Sequence, residues 1–599
     1  VFYEQVKDKW DNQKGEVVYD TATNTVKATI ASDQEAALRL LAGLATAQPW
    51  YAGTAVEEPL GDALVRTAEI LNGRSAYIDS VVNGAVNGHP MDRVKEKFDR
   101  AESHASPIIL DLDGDGVETV GLEAGVQFDH NGDGFAQATG WVGGDDALLA
   151  MDLSGNDEIE GGSELFGNAS EVADGVTAMN GFEALAIHDS DDNGRIDPGD
   201  EARGDLRLWQ DANANGIVDD GEMRTLDEVG IGSIDLGYSD SNFVDEHDNQ
   251  HRQIGSFEWA DGREGEAIDV WFIQDKADTE ALEQLEVPED IAALPNLKGY
   301  GEVHDLHQAL VRDDTGQLRA YVEAFMAETD VAAREARMEA LLYEWAGVSD
   351  VDPDCRGNYI DGRKVATLEA FLGEEFRQHG SPNPRTGASG ELREGFALLE
   401  STMYGQLMRQ THLAPYLEAV DVAIDEAGIG MDFTGTNTLL QQQFDADPSH
   451  AVGDLLELDR VVGEQLNPMG FRVDGLLRDW LSEAGADPAV QATVTAFGWA
   501  GVQTDGVGTA AREIVIGDDA GGQLAGESGD DWLLGGNGDE VLDGGSGDDV
   551  LHGGEAAATD PIDTLIESPR HVRAALPRTG FHRWRKPADP GLTFAQKAA

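Results

Sequence analysis

The sequence predicts a multidomain α+β protein: a module of acidic loops with EF-hand-like spacing, a mostly helical middle region, and a short parallel β-roll. Three observations predict it. Between residues 106 and 240, short apolar segments alternate with loops built from Asp, Asn and Gly. From about residue 300, apolar residues recur at the 3, 4 and 7 spacing of a helix face. Residues 526–554, GESGDDWLLGGNGDEVLDGGSGDDVLHGG, repeat every nine residues.

The 599 residues exceed what one ordinary core needs. Five segments are expected: a mixed or helical N-terminal region, 1–105; the loop module, 106–275; a mostly helical region with a loop at 380–390, 276–510; the β-roll, 511–554; and a basic tail, 555–599, open between a secretion-signal remnant, an altered reading of the end and disorder. In the first segment, Gln34–Leu41 is a good helix former, and 91–101 reads as a charged, solvated helix. In the middle region Met338, Leu341, Leu342 and Trp345 share one helix face, as do Val365, Leu368, Leu372 and Phe376. These stripes read as packing surfaces.

Acidic residues number 115 and basic residues 41, giving a net charge of -74. Such a chain repels nucleic acid and anionic membranes, so neither is an expected partner. No apolar run reaches membrane-spanning length. Cys355 is the only cysteine, which excludes intrachain disulfides and thiolate metal clusters.

The acid is gathered into Gly-punctuated loops. Calcium takes six to eight oxygens, which a 12-residue loop supplies from positions 1, 3, 5, 7, 9 and 12, with a glycine turn at position 6. The fullest match is Asp211, Asn213, Asn215, the backbone carbonyl of Ile217, Asp219 and Glu222, with Gly216 at the turn and Val218 as apolar anchor. Asp189, Asp191, Asn193, Arg195 (at the backbone-carbonyl position), Asp197 and Asp200 repeat the spacing, with Ile196 as anchor. Asp152, Ser154, Asn156, Glu158 and Glu160 form a looser copy. There Asp157 stands at the turn and Glu164 arrives one residue late. Asp111, Asp113 and Asp115, and again Asp129, Asn131 and Asp133, are half-loops with Leu122 and Gly140 at position 12. Asp145, Asp146 and Glu118 are available to complete them.

Residues 111–222 hold 28 acidic groups against Arg195, Arg203 and Arg207, a segment charge of -25. Crowding these carboxylates without cations would cost more than a domain's spare stability of ~5–15 kcal/mol. Calcium removes that repulsion, so its binding free energy becomes folding free energy. In the nine-residue repeats, Leu533, Leu542 and Leu551 fill the inward position. The calcium-bearing candidates there are Asp531, Asp539, Asp548 and Asp549.

Residues 106–240 closely resemble the self-processing module of large iron-regulated RTX proteins from Gram-negative bacteria. The resemblance rests on SPIILDLDGDGVETV, FDHNGDGFAQATGWVGGDDALLAMDLSGN, ELFGN, LRLWQDANANGIVDDGEMRTLDEVGI and SIDLGY. LPNLKGYGEVHDLHQAL (294–310) and RGNYIDGRKVATLEAFLGEEF (356–376) resemble further segments of such proteins, and the nonapeptides resemble haemolysin-type calcium-binding repeats. The resemblance implies a secreted or cell-surface location, export by type I secretion machinery and several bound calcium ions; an extracellular protein or host-surface partner is left open. It also implies calcium-triggered cleavage of an Asp-Pro bond at the module's N-terminal border, with capture of the new aspartyl end by a lysine. Here that border reads Ala105-Ser106-Pro107. A serine cannot form the cyclic anhydride that the aspartate chemistry uses, which counts against enzymatic activity. The function expected is therefore a calcium-binding module of a secreted RTX-type exoprotein, with autoprocessing, or a toxin or adhesin role, as alternatives. His304 and His307 read as surface histidines.

Overall fold

The computed structural model describes residues 91–98, 103–173, 175–425, 428–536, 538 and 540–553, with short strands at 15–20, 25–30, 564–566, 573–574 and 583–584. The Gln34–Leu41 helix and most of the basic tail lie outside the described residues, as does Asp539. The chain forms two compact units. One comprises residues 88–325 and 336–404; the other comprises 1–87, 326–335 and 405–599.

The first unit is built on twelve strands joined in one sheet. They are β1 (Ser103–Ala105), β2 (Ile108–Leu110), β3 (Gln127–Phe128), β4 (Phe135–Thr139), β5 (Ala147–Met151), β6 (Arg195–Ile196), β7 (Leu206–Trp209), β8 (Met223–Thr225), β9 (Ile231–Asp235), β10 (Ser239–Val244), β11 (Gln250–Trp259) and β12 (Glu264–Ala281). The main path runs β6-β9-β11-β12-β2-β5-β7-β8, and each pairing along it is antiparallel. The 18-residue β12 pairs in turn with β11, β2, β1 and β4.

This sheet corrects the expected fold: the protein is mixed α+β, but it is built around a large antiparallel sheet and not on an EF-hand-like loop module with a parallel β-roll. The Asp211 loop runs between β7 and β8, which pair as a hairpin. The physical reason is the period-2 burial of LRLW: Leu206 and Leu208 enter one core cluster and Trp209 the opposite one, while pairing with β5 on one side and β8 on the other satisfies its backbone. Parallel pairing does occur among short strands of the second unit, such as Trp532–Leu534 with Val550–His552, where Val515, Leu524, Leu533, Leu542 and Leu551 share a small core.

Side-chain alternation explains the unbroken apolar runs of β2 and β5. Ile108, Leu110, Ala147, Leu149, Leu206 and Leu208 enter one core cluster, with Phe182, Ile234 and Phe257. Ile109, Leu148, Ala150 and Trp209 enter a second cluster on the opposite face, with Phe128, Trp141 and Phe272. Both faces are covered; the Asp111, Asp129, Asp152 and Asp211 loops emerge at strand ends, and the Asp189 loop follows the helix Gly181–Ala186. In the same unit Met338, Leu341, Leu342, Val365 and Leu368 are buried on helices Val331–Trp345 and Gly362–Leu372. The helix Thr386–Gln410 takes up part of the loop expected at 380–390.

Candidate metal centre

Five loops share one internal design. In each, an oxygen of the first aspartate accepts a hydrogen bond from the backbone N–H of the sixth residue. Asp111 takes Gly116 at 3.2 Å, Asp129 takes Gly134 at 2.9 Å, and Asp152 takes Asp157 at 2.8 Å; Asp189 takes Gly194 at 2.8 Å and Asp211 takes Gly216 at 2.7 Å. Every sixth residue has a positive φ, from 62° at Asp157 to 110° at Gly116. That conformation favours glycine, and Asp157 is the non-glycine among the five.

The far side of each loop is closed by a second acceptor. Glu222 Oε1 accepts from Ala212 N at 3.0 Å and its Oε2 from Asp219 N at 3.0 Å. Asp200 does the same with Ser190 N at 2.7 Å and Asp197 N at 2.9 Å. Glu164 closes its loop through Leu153 N at 2.9 Å and Glu160 N at 2.7 Å, despite arriving one position late. The second and ninth loop residues are thus fastened to one carboxylate in all three.

In the Asp111 loop the closing group comes from far along the chain. Asp146 accepts from Leu112 N at 3.1 Å with Oδ1 and from Glu118 N at 3.1 Å with Oδ2. It is fully buried, and burial, together with the nearby Glu118 and Asp111 charges, raises its pKa to about 7. Leu122, at position 12, has no part in the closure. In the Asp129 loop the closing group is neutral: His130 N donates to Gln137 Oε1 at 3.3 Å. His130 is buried, and desolvation lowers its pKa to about 3, so it stays uncharged. Its Nε2 lies 3.1 Å from Thr139 Oγ1.

First and closing residues are mostly buried, whereas positions 3 and 5 face solvent. Asp111, Asp129, Asp146, Glu164, Asp200, Asp211 and Glu222 are each at most 9% exposed. Asp113, Asp115, Asn131, Asp133, Ser154, Asn156, Glu158, Asp191, Asn193 and Asn213 are exposed or nearly so. Carboxylate oxygens of Asp111, Asp113 and Asp115 lie within 4.8 Å of one another, as do those of Asp189, Asp191 and Asp200, and either group could hold a metal ion. In the Asp211 loop, Asn213 and Asn215 donate to Asp219 at 2.8 and 3.1 Å. The donor set throughout is oxygen, which suits a hard divalent cation.

The anchors are packed: Ile196 is fully buried, and Val218 rests against the second core cluster. Ile217 exposes its side chain, leaving only its carbonyl to offer the loop. The Arg195 guanidinium pairs with Asp235 at 2.9 Å and Glu258 at 3.5 Å. Two tryptophans were not foreseen. Trp141 donates its indole N–H to Asp211 at 2.8 Å, and Trp209 donates to Glu222 at 3.5 Å.

In the second unit, Asp531 accepts from Glu513 N at 2.8 Å and Asp549 accepts from Asp531 N at 2.9 Å. Burial pushes Asp531 up to about 6. Asp548, by contrast, is exposed. His304 packs against Phe135 and His307 contacts the Leu294 carbonyl at 2.8 Å, so neither is set up as a metal pair.

The antiparallel sheet and its loops correspond to a recognised kind of domain: residues 108–273 match the SPM domain family. Over 396 residues, 59% of this chain, the sequence is 31% identical to Iron-regulated protein FrpA of Neisseria meningitidis serogroup C. The aligned region is 35% of that protein, so the chain spans about a third of the length of this curated relative. The domain match and the distant likeness together link the chain to FrpA-like proteins. Among the described residues, no helix is long and apolar enough to cross a membrane.

Proposed function

We propose that the sheet-and-loop unit is a calcium-binding module of a secreted, RTX-type bacterial exoprotein, and that it reaches its final order only when calcium fills the loops outside the cell. The repeated closure of the loops carries this reading. Four of them end on a carboxylate, Asp146, Glu164, Asp200 or Glu222, whose oxygens are oriented by two backbone N–H groups. Such a group is poised for the closing, two-oxygen contact that calcium loops use. Asp531 and Asp549 are further candidates. Secretion through type I machinery is part of the proposal, supported by the sequence resemblance to iron-regulated RTX proteins. Extracellular sites hold calcium with Kd of ~10⁻⁴–10⁻³ M, so the module would stay loose in the cytosol and tighten outside.

Calorimetric titration of the full chain with calcium, with circular dichroism before and after EDTA, tests the proposal. The expected result is cooperative uptake of several ions with a gain of ordered structure. A chain equally well folded and equally stable without calcium would overturn it.

A further inference from the structure

Asp269 on β12 is fully buried and outside the acidic loops. Its Oδ2 accepts from Gly181 N at 2.8 Å, at the start of the short helix Gly181–Ala186. Its Oδ1 has no well-formed hydrogen bond among the described residues, and the Ser106 and Trp271 side chains lie close enough to favour its charged form. The carboxyl sits at a junction of three segments. Ile108 is its cross-strand neighbour on β2, and the adjoining Val270 N donates to the Pro107 carbonyl at 3.0 Å. Ser106 is gripped on the other side by Asn168, through Ser106 N to Asn168 Oδ1 and Asn168 N to Ser106 Oγ, both at 3.0 Å. Ile108 N donates to the Phe166 carbonyl at 2.9 Å.

We propose that Asp269 is a proton-operated latch: uncharged, it holds the border segment 105–110 between 166–168 and 268–272, and on losing its proton it loosens them. A neutral carboxyl tolerates a dry site with one oxygen unmatched, whereas a carboxylate there is an underpaired buried charge. Burial raises its pKa to about 7 against the pull of Gly181 N, the Ser106 and Trp271 side chains and the Arg252 charge. Arg252 lies on β11, stacked 3.9 Å over Trp271. Because the folded pKa is raised, the stabilisation is complete below the unfolded value of about 4 and is lost as pH climbs through about 7. Carboxylates held below their ordinary pKa, such as Asp152 and Asp200, act with the opposite sign.

Amide hydrogen exchange on the full chain in saturating calcium, corrected for intrinsic exchange, tests the latch. Protection at Ile108 and Val270 should fall at least about tenfold between about pH 5 and pH 7, then level off. In Asp269→Asn it should stay flat. Level protection in the wild type would overturn the latch whether or not the variant folds, as would a folded variant that follows the wild-type fall. Neither outcome bears on calcium stoichiometry.

Discussion

Trp141 donates its indole N–H to the buried carboxylate of Asp211 at 2.8 Å, and this bond joins a core tryptophan to the first residue of an acidic loop. Trp141 packs 5.5 Å from Trp209 and 5.7 Å from Phe272, and Trp209 reaches toward Glu222 at the loop's other end. Filling the loop should therefore alter the aromatic core. Calcium titration should change near-UV circular dichroism and tryptophan fluorescence in step. Trp141→Phe leaves the Asp211 oxygen one donor short, at a cost of about 1.5–3 kcal/mol. The expected result is a lower Tm and roughly tenfold weaker calcium affinity at that loop, measured by calorimetry. An unchanged affinity would show that the indole does not orient Asp211.

The long-range closure by Asp146 gives a sharper test. Asp146→Asn keeps the shape of the closing group but removes its charge, so the ion count should fall by one, as it should for Glu222→Gln. Gln137→Glu does the reverse, supplying the Asp129 loop with a charged closing group. That variant should bind one more ion than the wild type, even though it loses the Gln137 contact with the Phe135 carbonyl. Ion counts by mass spectrometry under native conditions would decide both.

The two loops at Asp189 and Asp211 were legible in the sequence because first and closing residues lie within twelve positions and the turn glycines sit between them. Asp146 was visible only as one of several carboxylates that could be lent. Nothing local marks it, since its partners Leu112 and Glu118 are brought to it by the pairing of β2 with β5. The EF-hand-like expectation failed for a related reason. Ligand spacing constrains the loop and leaves the flanking elements open, and four-residue apolar segments such as Leu206–Trp209 were settled by strand pairing with β5 and β8. The stripes at Met338–Trp345 and Val365–Leu372 were readable because a buried helix face leaves its period in the sequence, but Phe376, read onto the second stripe, lies past the helix end capped by Gly373.

Asp157 occupies the left-handed turn position, with φ of 62°, that glycine fills in the other four loops. Asp157→Gly should relieve about 1 kcal/mol of backbone strain, offset in part by the added freedom of the unfolded chain. A small rise in Tm by scanning calorimetry, without a change in ion count, is expected. A fall would mean that the Asp157 carboxylate is itself needed by the loop.

Asp245 provides an acid-side prediction. Burial would raise its pKa, but the His251 ring at 3.1 Å, the Thr119 hydroxyl at 2.6 Å and the N–H groups of His247 and Asn249 outweigh it and hold the carboxyl at about 2. A depressed pKa stabilises above the unfolded value near 4 and is lost as pH falls toward about 2, a contribution of about 2 kcal/mol. Asp245→Asn should therefore lower stability at neutral pH, and the gap to wild type should close in urea melts below about pH 3. A gap that persists in acid would assign the loss to packing.

Ser106 stands at the border bond to Pro107. Its hydroxyl and N–H are both held by Asn168, and the neighbouring Pro107 carbonyl is tied to Val270, so the segment is ordered inside the sheet. The aspartate-dependent cleavage implied by the sequence resemblance needs a carboxyl that attacks its own peptide carbonyl and closes a five-membered anhydride. A serine hydroxyl attacking the same carbonyl would have to close a strained four-membered ring. The full-length chain incubated with calcium should accordingly remain intact on a denaturing gel. Ser106→Asp restores the missing carboxyl and should yield two fragments, residues 1–106 and 107–599, only when calcium is present. Calcium-dependent fragments at that border from the wild-type chain would mean that serine chemistry suffices. An intact Ser106→Asp chain would mean that the surrounding strand holds the bond away from attack.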